Sequence, residues 1–170
     1  GTALSVFINH WKSRAGGGEE KRARAARTLR ERLEYLNKED PWMDYLVIGD
    51  FNDEPENQSL AKVLRTSPSR DEMEHFLDQV ILWNSSFDLF YLPGIIEKNR
   101  NRLSDDELRQ LRRRLRKQRH TYYWKSGDRY NQLDHALLSR GLLDNENFRY
   151  IEDSFEIVRH PDFTDDQGSP

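Results

Sequence analysis

The chain has 170 residues, of which 35% are hydrophobic and 34% charged, with a formal net charge of −3. That balance excludes a membrane-spanning segment, since no apolar run approaches the roughly 20 residues a span needs, and gives no overall pull toward polyanions, so any basic surface must be local. Four Trp, seven Tyr and eight Phe argue against disorder, and the absence of cysteine removes disulfides, thiolate metal sites and cysteine nucleophiles. The opening "GTALSVFINH" shows neither a basic region nor a cleavage site, and the composition leaves both a secreted and a cytoplasmic location open.

Residues Ala3 to Asn9, "ALSVFIN", read as a buried strand, being β-branched and aromatic after Leu4. "SRAGGGEE" is a flexible turn. "EEKRARAARTLRERLEYLNKED" is a helix: Ala26, Leu29, Leu33 and Leu36 recur at helical spacing, Glu19 and Glu20 suit its positive end, and Asp40-Pro41 stops it. Met43 to Ile48 is a second strand. The order strand, helix, strand predicts a parallel pair with a helical crossover.

Beyond "GDFNDEPENQS", residues 58–64 read as a short helix, and "DEMEHFLDQVILW" as a helix running into a strand over "SFDLFYLP". "SDDELRQLRRRLRKQ" is a helix with a Ser104/Glu107 capping box and an apolar stripe of Leu108, Leu111 and Leu115. "HTYYWKS" and "DHALLS" read as two strands joined through "GDRYN", "FEIV" as a last strand, and "RHPDFTDDQGSP" as an irregular acidic end. No internal repeat or low-complexity segment is present. The chain opens within a core-like strand and closes without a capping element, which suggests a cut from something longer.

Three strand ends carry polar groups that a core would not tolerate. They are His10 in "FINHWKS", Asp50 and Asn52 in "VIGDFND", and Asp134 in "NQLDHALLS". In sheets with helical crossovers, reactive groups gather at strand ends. Singly, each has an ordinary reading: a hydrogen-bonded histidine, an Asp/Asn turn, a loop-capping aspartate. Together they offer one imidazole, two carboxylates and one amide, with no thiol or obvious serine nucleophile. That set suits hydrolysis by an activated water aided by a hard divalent cation, which prefers oxygen ligands.

The order "INHWKS", "GDFND", "LDHALLS" resembles the C-terminal half of the endonuclease/exonuclease/phosphatase superfamily, from Val6 to about Ser139 and more weakly beyond. That family contains DNases, abasic-site endonucleases, inositol-phosphate 5-phosphatases and neutral sphingomyelinases. The resemblance implies an α/β fold, a four-layered α/β sandwich present here as roughly its C-terminal half. It implies Mg²⁺-dependent phosphoester hydrolysis by an in-line water, with Mn²⁺ or Ca²⁺ as substitutes. His10 would support the scissile phosphate, Asp50 would orient or deprotonate the water, Asn52 would hold Asp50 and a phosphate oxygen, and Asp134 would fix a catalytic histidine's tautomer. Asp50 and Asn52 would be the metal residues. The histidine-bearing "INHWKS", followed by a glycine-rich loop and a long helix, is similar to bacterial nucleases and phosphatases of the family.

Residues 1–170 would then be a partial domain. The metal-holding glutamate of the N-terminal half is missing, the acid that orients the residue matching His10 is missing, and so is the closing Ser-Asp-His segment; His160 in "RHPDF" does not replace it. The implied substrate is a phosphoester, with nucleic acid, lipid head groups and phosphoinositides as candidates and a nuclease-like activity foremost. The alternative is a non-catalytic fragment or interaction domain that keeps the fold without a complete site. A half-sandwich would expose apolar sheet and associate with a copy or with the missing half. Three further features have a functional and an ordinary reading: Arg109, Arg112, Arg113, Arg114, Arg116, Lys117 and Arg119 as a polyanion grip or a solvated face, "TYYW" as a stacking surface or core, and Asp162, Asp165 and Asp166 as cation contacts or a loop. In each case the ordinary reading is the starting expectation.

Overall fold

The computed structural model describes residues 3–87, 96, 99–118, 120–127, 129–144, 146–152, 154–158 and 162. They fall into two compact units: residues 1–86 with 133–155, and residues 87–132 with 156–170.

The first unit is built on β1 (Ser5–His10), α1 (Glu19–Glu39) and β2 (Tyr45–Asp50). Both strands begin as unbroken apolar runs, and the pleat turns successive residues to opposite faces, so burial alternates along β1 and over the first residues of β2. The pair is parallel, in register from Ser5 opposite Tyr45 to His10 opposite Asp50, and α1 supplies the crossover. Residues Ser59–Leu64 form a π-helical turn, followed by β3 (Thr66–Ser67), α2 (Asp71–His75), β4 (Leu82–Asn84) and, later in the chain, β7 (Asp134–Leu138). The sheet order is β1-β2-β7-β4-β3, with β7 antiparallel to both neighbours.

One face of this sheet holds the main core. Phe7, Tyr45, Val47, Leu82 and Leu137 meet Ala26, Leu29 and Leu33 of α1, with Phe51, Leu60 and Leu64 beneath. Each fully buried Leu here stabilises by about 1.5–3 kcal/mol. Burial pushes the Tyr45 phenol up to about 12. The other face is covered on one side only, where Met73, Ile81, Leu142 and Tyr150 pack on Trp83 and Leu138. On the β1 side, Leu4, Val6 and Ile8 stay open, Val6 at 48% and Ile8 at 82% exposure.

The second unit contains α3 (Asp105–Gln118) and a hairpin of β5 (Tyr122–Trp124) and β6 (Arg129–Asn131). The capping box forms: the Ser104 backbone N–H and hydroxyl donate to Glu107 Oε2 at 2.8 and 2.7 Å. These bonds hold the Glu107 carboxyl below its usual value. Leu108 is buried, with Leu111 and Leu115 half-buried beside it.

Several expectations are corrected. "HTYYWKS" and "DHALLS" each contain a strand, but "GDRYN" is not merely the link that joins them. Arg129–Asn131 is itself a strand that folds back on β5, while β7 inserts between β2 and β4; a short turn closes a local hairpin at lower entropic cost than a distant pairing. "FEIV" joins no ladder: residues 155–158 alternate in burial but have no partner strand. The helix in "DEMEHFLDQVILW" ends at His75, and the strand begins within the same stretch at Leu82. The buried Arg140 guanidinium accounts for the early stop, donating to the carbonyls of Met73, Phe76 and Leu77. Residues 88–93 of the expected "SFDLFYLP" strand, the side chains of Arg116, Lys117 and Arg119, and His160, Asp165 and Asp166 lie outside the described residues; Asp162 is exposed.

Candidate active site

Because β1 and β2 run parallel and β7 runs against them, the C-terminal ends of the first two and the N-terminal end of the third share one edge of the sheet. Register places His10 opposite Asp50, and Asp50 opposite Asp134. Cross-strand partners share a face, so the three side chains form a row across adjacent strands roughly 4.8 Å apart. Nε2 of His10 lies 3.9 Å from Asp50 Oδ2, with the imidazole well exposed. Asp134 is exposed and Asp50 half-buried. The row terminates the uncovered apolar strip of Val6, Ile8 and Ile48.

Two residues beyond Asp50, the backbone turns back on itself. Asn52 takes a left-handed conformation, φ 52°, which asparagine tolerates better than most residues. Its backbone N–H donates to Asp50 Oδ1 at 2.8 Å, and its side-chain amide donates to Asp50 Oδ2 at 3.0 Å and to the Trp11 carbonyl at 3.1 Å. The amide therefore fixes the carboxylate and ties the end of β2 to the end of β1. Gly49, φ 131°, permits the approach: a Cβ there would lie 2.0 Å from the Asn9 carbonyl oxygen.

The turn itself is fastened from below by groups that the sequence analysis did not single out. The buried Asp53 carboxylate accepts from Ser59 Oγ and pairs with the buried Arg22, whose Nε lies 2.8 Å from Asp53 Oδ2. Arg22 also donates to the Lys12 carbonyl at 3.1 Å, and Arg14 Nε to the Asn52 carbonyl at 2.8 Å. His135, adjacent to Asp134 but on the buried face, bonds the Asp53 carbonyl through Nε2 at 2.9 Å and Asn84 Nδ2 through Nδ1 at 3.3 Å. A carbonyl only accepts, so Nε2 carries the proton. Arg22 could have been suspected from sequence: at position 22 it shares the Ala26, Leu29 and Leu33 stripe, where a solvated arginine would not sit.

Asp50 and Asn52, expected to hold the cation, are turned on each other. Among the described residues no group of three or more His, Asp or Glu is placed to hold a metal ion. A hard cation takes about six or more oxygens, more than this pair supplies by itself. Of the remaining sequence features, Arg109, Arg112, Arg113 and Arg114 are exposed on α3, as expected of a solvated face. "TYYW" departs from the core expectation: Tyr123 is half-buried, but Tyr122 and Trp124 are exposed.

The described fold is mixed α/β, with its polar side chains converging where strand ends meet. The chain belongs to the Endonuclease/Exonuclease/phosphatase family, whose sequence model matches residues 1–86. The matched span includes His10, Asp50 and Asn52 and stops before Asp134. It lies on the N-terminal side of the chain and does not match the expectation of a C-terminal half. No curated protein and no solved structure matches. No helix among the described residues is long and apolar enough to cross a membrane.

Proposed function

We propose that the protein hydrolyses phosphoesters with a water activated at Asp50, in a nuclease-like manner. The observation that carries this reading is the row His10, Asp50, Asp134, with Asn52 clasping the central carboxylate. Phosphoryl transfer needs positioning and charge stabilisation more than covalent chemistry. In the proposed step, water oxygen attacks phosphorus while Asp50 accepts its proton. The P–O bond to the leaving group breaks, and that alkoxide is protonated from solvent. The exposed His10 imidazole donates to a non-bridging oxygen. Asn52 holds the base at one angle, which limits the reorganisation needed in the transition state. The histidine that Asp134 would orient is not its neighbour in the row, which is Asp50, and His10 stands two strands away.

Dependence on Mg²⁺, Mn²⁺ or Ca²⁺ belongs to the proposal as a requirement to be measured, with Asp50 and Asn52 as this chain's contribution. The four-layered sandwich is likewise proposed: a second sheet seated on Leu4, Val6 and Ile8 would cover apolar side chains that stand in water and would wall one side of the row. A second copy of the chain or another part of the protein would supply it.

The test is release of p-nitrophenol from bis-p-nitrophenyl phosphate, with and without each cation, by the native chain and by Asp50→Ala. Cation-dependent release that the substitution abolishes is the expected result. Equal rates would remove Asp50 from the mechanism. No release from a well-folded chain would favour the alternative, a binding module that keeps the fold.

A further inference from the structure

The β5–β6 hairpin of the second unit carries an open aromatic face. Register pairs Tyr122 with Asn131, Tyr123 with Tyr130 and Trp124 with Arg129. The inner face is a packed aromatic layer: Tyr123 stacks on Tyr130 at 4.6 Å and 22°, and His120 meets Tyr130 edge-on at 4.6 Å. Three-residue strands are marginal alone, and this layer is what steadies them. The outer face presents Tyr122 and Trp124 at 47% and 45% exposure, with Arg129 and, at the tip, Lys125 exposed beside them.

The Trp124 ring is held rather than loose. It packs against Gly127, where a Cβ would come within 2.2 Å of Cε3. The turn thus backs the indole while the side chain stays nearly half exposed. Tyr122 and Trp124 stand two residues apart on one strand, roughly 6.6 Å, comparable to the phosphate repeat of an extended nucleic-acid strand. Charge complementarity selects the occupant. α3 packs beside β6 and exposes Arg109, Arg112, Arg113 and Arg114, of which Arg109 pairs with Asp106.

We propose that Tyr122 and Trp124 form a base-stacking platform for single-stranded nucleic acid, whose phosphates meet Arg129 and the arginines of α3. Stacking is sequence-tolerant because every base has a π-face. A pre-set ring loses little freedom on binding, which favours affinity. None of the candidate catalytic residues takes part, so the platform and the hydrolytic reading stand or fall separately.

The experiment is fluorescence anisotropy of a labelled phosphorothioate oligothymidylate, whose linkages resist cleavage, with the whole chain. Tyr122→Ala/Trp124→Ala should weaken binding tenfold or more. Tyr122→Phe/Trp124→Phe should retain it, which guards against loss through misfolding, as does far-ultraviolet circular dichroism of each variant. Arg112→Gln/Arg114→Gln should flatten the dependence of log Kd on log salt by about 0.7 for each contact removed. Unchanged affinity in the alanine variant, or equal losses in the phenylalanine and alanine variants, would overturn the proposal. So would binding to phosphatidylserine vesicles but not to the oligonucleotide, or a Trp124-dependent dimer in sedimentation. A chain that hydrolyses without binding the oligonucleotide loses only this inference; one that binds without hydrolysing loses only the catalytic reading.

Discussion

Asn52 holds Asp50 with two hydrogen bonds, one from its backbone at 2.8 Å and one from its side-chain amide at 3.0 Å. Only the second is removable by substitution. Asn52→Ala should therefore free one carboxylate oxygen and release the Trp11 carbonyl, lowering the rate of diester hydrolysis about 100-fold, the usual cost of losing one preorganised donor. Steady-state kinetics should place the loss in kcat rather than in KM, because the bond orients the base and does not grip the substrate. An equal kcat would show that Asp50 needs no such support.

At Gly49 the neighbouring strand leaves no room for a side chain. A methyl group there meets the Asn9 carbonyl oxygen at 2.0 Å, and φ 131° lies in a region essentially confined to glycine. Gly49→Ala should cost about 3 kcal/mol or more, read as a fall in the urea midpoint without a change in slope. A loss under 1 kcal/mol would mean that the two strands separate easily, and the row with them.

Arg22 and Asp53 form a buried pair beneath the turn, their side chains 7% and 5% exposed. Removing one partner leaves an uncompensated buried charge, so Arg22→Met should destabilise by about 3–5 kcal/mol. Arg22→Met/Asp53→Leu should recover most of that loss, since neither charge then remains. A double variant as unstable as the sum of the two single ones would assign the effect to packing instead of charge.

Asp44 makes a pH-dependent prediction. Burial raises its carboxyl pKa, and the charges of Asp144 and Asp40 add to the shift, against the backbone N–H of Phe148, which lowers it. The folded protein then binds this proton more tightly than the unfolded chain does. Stability from this group falls as pH climbs from the ordinary carboxylate value, about 3.9, through the raised folded value, and stays lower above it. Asp44→Asn should raise the melting temperature at pH 7, and the gain should shrink as the pH is brought down toward 4. A gain independent of pH would point to hydrogen bonding rather than ionisation.

The strand–helix–strand start was legible because its signals are local. The unbroken apolar runs "VFI" and "YLVI", rich in β-branched and aromatic residues, and the Ala26, Leu29, Leu33 stripe each mark one element without help from the rest of the chain. His10, Asp50, Asn52 and Asp134 stood out for the same reason: polar groups directly abutting apolar runs are visible in one dimension. Sequence alone left open whether those four residues meet, since that depends on β7 pairing with β2 across more than 80 residues, and on its running antiparallel so that its first residue, not its last, joins the row. It also left open what lies beneath. Arg22 alone carries a signal, by standing on the apolar stripe of α1; Asp53, Ser59 and His135 are ordinary polar letters until burial makes each need a partner. The same holds for "TYYW", whose aromatic composition says core while its pairing with Arg129–Asn131 turns Tyr122 and Trp124 outward. Hydrophobic period decides which residues share a face of a strand; only tertiary pairing decides which face meets water.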